Sequence, residues 1–337
     1  MTKGKDEKEV LLEVKDLRVS FFTPAGEVKA VGGISYDIKY GEVLGIVGES
    51  GSGKSVEAYS IMGLLQSPGR IIGGSILFEG ENVLDYNKKQ SQHFRGKKAG
   101  MIFQNPMTCL NPVYTIGDQL VEAIRVHEKI SQKAAWERAI EMLELVGINN
   151  PQKRMKQFPH EFSGGMRQRV MIAMGLICDP KLLIADEPTT ALDVTIQAQI
   201  LELMKEIQKK TGMAIILITH NLGVVAEICD RVAVMYAGHI VEKGSAEDIF
   251  YRPEHPYTVG LLESMPRIDA EEYERLIPIS GTPVDMLNPP AGCPFGPRCS
   301  HCMKICLRKT PPLFETGDGH YSACWLLEKE RGGAANE

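Results

Sequence analysis

The sequence predicts an α/β protein with a parallel-sheet core and a small cysteine-rich, loop-dominated module at its C-terminal end. Three observations carry that expectation. Short apolar runs, Glu42 to Val47, Lys181 to Ala185, Ala214 to Ile218 and Arg231 to Met235, have the length and unbroken hydrophobicity of strands buried on both faces. Between them lie helical periods: Ala139, Met142, Leu143 and Val146 recur at i, i+3, i+4 and i+7, and Gly147 follows as a C-cap. Strands that alternate with helices belong to a sheet with helices on its faces. Finally, Pro283, Pro289, Pro290, Pro294, Pro297, Pro311 and Pro312 share the last part of the chain with five of the eight cysteines. That composition leaves little room for long helices.

These shifts set the expected organisation. A short tail over 1–10 precedes one large domain over 11–250, and the cysteine-rich module occupies 251–337, with the boundary near Tyr251 to Pro256. The stretch from Thr115 to Gly147 is almost wholly helical and forms the heart of an inserted helical subdomain at about 105–165. At 337 residues, 43% hydrophobic and 24% charged, the chain can bury a sizeable core. A net charge of −5 argues against nucleic acid as the main partner, because such proteins carry a basic footprint. Met1 to Val10 is rich in Lys and Glu and lacks the apolar centre of a signal peptide. No run approaches the roughly 20 apolar residues that span a bilayer. A cytosolic chain is expected, meeting a membrane only through protein partners. In a reducing compartment clustered cysteines read first as metal ligands, while Cys109, Cys178 and Cys229 sit singly among apolar neighbours as small hydrophobes.

Gly48-Glu-Ser50-Gly51-Ser52-Gly53-Lys54-Ser55 fits the phosphate-loop pattern GxxxxGK[ST], after an apolar strand and before a helix starting near Lys54 that continues with Val56. Glycines there let backbone N–H groups turn onto a phosphate at the positive end of a helix dipole. Lys54 can bridge the β- and γ-phosphates, and Ser55 can offer its hydroxyl to Mg²⁺. Further on, Leu182 to Glu187 is an apolar strand ending in two acids. Asp186 would hold Mg²⁺ through its water shell, and Glu187 would orient or deprotonate the attacking water.

Phe162-Ser163-Gly164-Gly165-Met166 resembles the signature sequence of ABC ATPases, usually LSGGQ, with Phe first and Met last here. Ser163, Gly164 and Gly165 would present a hydroxyl and backbone N–H groups at a helix start, an anion site. The other motifs of that family follow in order. Gln104 resembles the glutamine that senses Mg²⁺. Ala191-Leu192-Asp193 resembles the D-loop, His220 the switch histidine that touches the γ-phosphate, and Phe21 the aromatic that stacks on adenine, with Phe22 its rival. The resemblance runs from about Leu11 to Ile249. It implies an ABC-type P-loop ATPase domain with an antiparallel β-subdomain beside the parallel core. It also implies ATP sandwiched between the phosphate loop of one subunit and the signature of another.

The end of the chain narrows the resemblance. Arg252-Pro-Glu-His255-Pro256-Tyr257-Thr258, then Cys293-Pro-Phe-Gly-Pro-Arg298-Cys299, resembles the D-type ATPases of oligopeptide and dipeptide permeases. In that group a [4Fe–4S] cluster is held by cysteines matching Cys293, Cys299, Cys306 and Cys324. Cys302 stands where the group commonly has a small residue, which leaves one ligand open. Read without the resemblance, the thiols suit either Fe–S or Zn²⁺. His301 and His320 lie near them and read as surface or supporting residues. The implied machine is an importer driven by ATP hydrolysis. It comprises this chain, a second homologous ATPase, two transmembrane permease subunits and an extracytoplasmic substrate-binding protein, with the ATPases on the cytoplasmic face of the membrane. An importer of nickel or another small solute shares these motifs. A soluble ABC ATPase of translation, DNA repair or Fe–S assembly is a further alternative. The single phosphate loop speaks against the translation type, and the short span from loop to signature against the repair type.

Overall fold

The computed structural model describes residues 9–105, 109–189, 193–265 and 278–330. In chain order the first strands are β1 (Val10–Thr23), β2 (Gly26–Lys39), β3 (Val43–Val47), β4 (Gly69–Phe78), β5 (Glu81–Asn82) and β6 (Ala99–Ile102). They are followed by β7 (Leu182–Asp186), β8 (Ala214–Thr219), β9 (Arg231–Tyr236), β10 (His239–Ser245), β11 (Phe314–Gly317) and β12 (His320–Ser322). The helices are α1 (Lys54–Ile61), α2 (Lys88–His93), α3 (Ile116–His127), α4 (Gln132–Leu145), α5 (Pro151–Arg154) and α6 (Gly164–Leu176). Then come α7 (Val194–Thr211), α8 (Leu222–Ile228), α9 (Ala246–Tyr251), α10 (Pro256–Glu263) and α11 (Trp325–Glu330). The chain divides into two compact units, Met1–Leu11 with Ile38–Val43 and Phe78–Ile218, and Leu12–Asp37 with Leu44–Leu77 and Thr219–Glu337.

In the first unit β6, β7 and β8 form a parallel sheet, with Ala99 opposite Leu182 and Asp186 opposite Ile218. Every residue of the three strands is buried, as their unbroken hydrophobicity requires. Three of the unit's helices start where a side chain caps them. Thr115 accepts from the Asp118 N–H, Ser131 from Ala134 and Ser163 from Met166. On α4 the buried residues are Ala135, Ala139, Met142 and Leu143, and Gly147 follows in the left-handed region at φ 74°. The apolar period therefore chose both the face and the end of that helix.

Half-buried Glu79 lies close to three donors of the same unit. Its carboxylate accepts from Tyr40 at 2.8 Å, Lys98 at 3.1 Å and Lys181. Burial alone would raise its pKa, but the hydrogen bonds from Lys181, Tyr40 and Lys98 outweigh it and hold the carboxyl down at about 2. A depressed carboxylate stabilises the fold above its unfolded pKa of 4.5, and that contribution is lost as pH falls toward 2. Glu79→Gln should therefore cost about 1–2 kcal/mol at neutral pH after allowing for solvent screening. Its chemical-denaturation stability should also fall less steeply than that of the native chain between those pH values.

In the second unit β1 and β2 join through Pro24 and Ala25, and with β4 they form a sheet in the order β2-β1-β4. A second sheet runs β11-β12-β10-β9-β3. Strand β3 pairs parallel with β9, Leu44 opposite Arg231, whereas β9, β10, β12 and β11 pair antiparallel in turn. Ala237 and Gly238 both have positive φ and make the tight turn from β9 to β10. The C-terminal residues are thus built into the sheet through β12, with Glu242 opposite Ser322. The surface reading of His320 is corrected. The residue is 4% exposed, and its Nε2 lies 2.8 Å from Glu242 Oε1, a contact that raises its pKa. No helix among the described residues is long and apolar enough to cross a membrane.

Candidate active site

In the second unit the phosphate loop leaves β3 at Gly48 and enters α1 at Lys54. Two of its glycines are forced by contact. At Gly48 (φ 152°) a Cβ would sit 2.1 Å from the Met235 carbonyl oxygen, and at Gly53 (φ 100°) 2.4 Å from that of Ala30. Ser50 and Gly51 are exposed at the tip, Ser52 is buried, and Ser55 and Val56 are half-buried in the first turn of α1. Lys54, 6% exposed, curls back so that Nζ donates to Gly48 O and Glu49 O at 2.8 Å and approaches Ser52 Oγ at 3.3 Å. An ammonium and a helix N-terminus at one loop suit an anion of phosphate size. Phe21 is half-buried against Gly69, where a Cβ would meet its ring at 2.8 Å. Phe22 is 45% exposed, with the Arg70 guanidinium 5.6 Å from its ring centre. Of the two, Phe22 offers the open ring. His220 is exposed just after β8.

In the first unit Asp186 closes β7 fully buried, and Glu187 follows at φ 48°, a conformation uncommon outside glycine. Its N–H donates to Ile218 O at 2.8 Å, which fixes the strained turn to the neighbouring strand. Gln104 Nε2 donates to Glu187 Oε2 at 2.7 Å. The structure therefore joins two predicted residues that lie far apart in the chain. Ser163 caps α6, and Gly164 beside it faces open space. Asp193 caps α7 through the Ile196 N–H at 2.9 Å, while a Cβ on Gly165 would lie 3.1 Å from the Ile196 side chain. Ala191 and Leu192 of the proposed D-loop fall outside the described residues.

Three contributors were not read from the sequence. Gln168, 1% exposed on α6, donates to the carbonyl of Pro188, the residue after Glu187. A polar residue amid the apolar face of that helix was its signal. Buried Glu57 of α1 accepts from the Tyr36 hydroxyl. Glu49, inside the phosphate loop, is held by Arg298 and Tyr257.

The tail thiols lie near one another. Cys293, Cys306 and Cys324 are buried, Cys299 is half-buried and Cys302 exposed. Burial raises Cys293 to about 11 and Cys324 to about 12, and the charges of neighbouring thiols add to each shift. The Cys293 N–H donates to Cys306 O at 2.7 Å. Among the described residues no three Cys, His, Asp or Glu side chains are arranged to hold a metal ion. The gathered thiols match a soft metal in donor chemistry but do not form a closed ligand shell.

Residues 31–190 match the family model described as ABC transporter, and residues 241–306 that of the oligopeptide/dipeptide transporter C-terminal region. The chain is 59% identical over 321 residues to the oligopeptide transport ATP-binding protein OppD of Bacillus subtilis, covering 95% of this chain and 90% of the relative. It is 56% identical over 322 residues to the dipeptide transport ATP-binding protein DppD of the same organism, covering 95% and 96%. Among solved structures, the dimeric ABC transporter cassette MJ0796 superposes with a TM-score of 0.64 at 25% identity, over 70% of this chain and 99% of that one. The cassette cbiO1 of Clostridium perfringens gives 0.62 at 31% identity, over 75% and 96%. This chain belongs to the ABC transporter ATPases, in the branch that carries the oligopeptide/dipeptide transporter C-terminal region.

Proposed function

We propose that the chain hydrolyses ATP to drive import of di- and oligopeptides, and that it contributes one half-site to each of two ATPs bound between paired ATPase subunits. The observation that carries this reading is an intact set of ATPase residues in a chain whose residues 241–306 match the peptide-transporter region. The phosphate-loop amides and Lys54 bind the β- and γ-phosphates, and Phe22, or Phe21 beside it, stacks on adenine. Ser163 to Gly165 and Asp193 face the nucleotide held by the partner subunit. Glu187 takes the proton of the attacking water, positioned by Gln104, and His220 steadies the γ-phosphate. Ser55, Asp186 and Gln104 offer the oxygen donors that Mg²⁺ prefers, and the ion neutralises phosphate charge when bound. The partner is a second homologous ATPase. Two permease subunits hold the pair at the cytoplasmic membrane face, and an extracytoplasmic binding protein delivers the peptide.

The test is uptake of labelled short peptides by a strain lacking the gene, complemented with the native chain or Lys54→Ala, with nickel uptake in parallel. Peptide uptake restored by the native chain alone is expected. Rescue of nickel uptake alone would move the reading to the nickel importers.

For the tail we infer that Cys293, Cys299, Cys306 and Cys324 hold a [4Fe–4S] cluster, with Zn²⁺ as the alternative, which would staple a segment poor in apolar core. Protein purified without oxygen should contain iron and acid-labile sulfide, both lost in Cys306→Ser. Zinc in their place identifies the alternative, and neither metal removes the staple.

A further inference from the structure

We infer that Arg298, in the cysteine-rich tail, is a positioning residue for the phosphate loop: it neutralises Glu49 and fixes that end of the loop for an incoming triphosphate. The inference rests on the reading of Gly48 to Ser55 as the ATP phosphate loop.

Glu49 brings a carboxylate into the loop that must receive several negative charges. The tail answers that charge directly. Arg298 Nη1 donates to Glu49 Oε2 at 2.6 Å and Nη2 to Oε1 at 3.1 Å, a two-pronged pair. The Arg298 side chain is 4% exposed and Glu49 27%, so the pair is shielded from water mainly on the arginine side. Further bonds fix the guanidinium. Nε donates to Ser280 O at 2.9 Å and Nη2 to Ile279 O at 3.3 Å. It also lies over the rings of Tyr236 and Phe295, at 5.8 and 6.0 Å. Tyr236, Tyr257 and Phe295 pack together, with centroids 4.7 to 5.3 Å apart, and form a rigid wall behind it. Tyr257 adds a second hold, its hydroxyl accepting from the Glu49 N–H at 2.8 Å. Both the charge and the backbone of Glu49 are therefore set by residues from the C-terminal part of the unit. Meanwhile the Glu49 carbonyl accepts from Lys54, the cation that must reach the phosphates.

The chemistry follows from Coulomb's law. With Arg298 in place the carboxylate is already paired when ATP arrives. Without it, an unpaired negative charge lies next to the triphosphate in a partly dehydrated loop, and binding weakens. Arg298 acts on the nucleotide only through Glu49. Its position directly before Cys299 ties the clamp covalently to the thiol-bearing segment.

The experiment titrates the full chain with a fluorescent ATP analogue at low and high salt. The proteins are the native chain, Arg298→Met, Glu49→Gln with Arg298→Met, and Lys54→Ala, each checked for folding by thermal melting. Arg298→Met should weaken ATP binding on the order of tenfold at low salt, with a deficit that narrows as salt rises. Adding Glu49→Gln should restore binding to within a few-fold of native, because the repelling charge is gone. A merely structural Arg298 would give a deficit indifferent to salt and unrescued by Glu49→Gln, and either result overturns the inference. So does native affinity in Arg298→Met. In that case loss of binding in Lys54→Ala confines the failure to the clamp, whereas native affinity in Lys54→Ala removes the phosphate-loop reading itself. Should Arg298→Met not fold, Arg298→Gln replaces it, an uncharged side chain that still donates hydrogen bonds, with the same expected deficit and rescue.

Discussion

Glu187→Gln should leave ATP binding intact and slow hydrolysis by roughly 10²- to 10⁴-fold, the range typical of a lost general base. Glutamine keeps the size of the side chain and can still hydrogen-bond Gln104, so the strained turn at φ 48° and its anchor to Ile218 survive. What disappears is the capacity to take a proton from water. The effect should belong to turnover rather than affinity, because Lys54 and the phosphate-loop amides proposed to hold the nucleotide are untouched. Phosphate release by the reconstituted transporter at saturating ATP, beside nucleotide binding by the same preparation, separates the two. A variant that hydrolyses within a few-fold of native would remove Glu187 from the base role and turn attention to His220. Gln104→Ala should give a smaller loss, because the carboxylate stays in place but loses the hydrogen bond that orients it.

Glu242→Ala should be among the most destabilising single substitutions in this chain, costing about 3–5 kcal/mol. The carboxylate is fully buried and accepts from the Glu254 N–H at 2.7 Å, the His255 N–H at 3.0 Å and His320 Nε2 at 2.8 Å. Removing it strands two backbone donors and an imidazole where water does not reach. These contacts tie β10, the start of α10 and β12 together, so the loss should appear as early unfolding and easy proteolysis of the tail. The pH dependence has a definite sign. Hydrogen bonding to Glu242 raises the His320 pKa, so the folded chain holds that proton more tightly than the unfolded one. The pair's contribution is fully present below the ordinary histidine value of about 6.5 and fades as pH rises through the raised folded value. Buried His255 behaves in the opposite way. Desolvation lowers it to about 4, so its contribution grows as pH rises toward the ordinary histidine value and levels off above it. Melting temperature against pH in the native chain and in His320→Gln checks this. The native curve should decline on the alkaline side of neutrality, and the variant should lose that decline.

Much of the fold could be read directly from the residues. The four apolar runs became β3, β7, β8 and β9 with ends displaced by a residue at most, because a strand buried on both faces must be apolar throughout. The helix around Ala139 and its glycine stop were equally legible, since periodicity and a left-handed cap are local properties. So was the order of the phosphate loop, the acid pair and the signature, each of which needs particular residue types at short spacing. The hairpin of β1 and β2 and the tail strands β11 and β12 were not, because their pairing is decided by distant partners rather than by local pattern.

The sequence by itself determined which chemistry this protein carries: a loop for phosphates, a carboxylate pair, a family order of motifs and a cluster of thiols. Tertiary structure decided which of these residues act together. Gln104 and Glu187 are 83 positions apart and share a hydrogen bond. His320, read as a surface or supporting residue, is buried on Glu242. Glu49, silent within its motif, is paired with Arg298 from 249 positions away. The reason is physical. Motif chemistry resides in side-chain type and local backbone, whereas a charge or hydrogen-bond partner is chosen by packing, which brings together residues whose separation in sequence carries no signal.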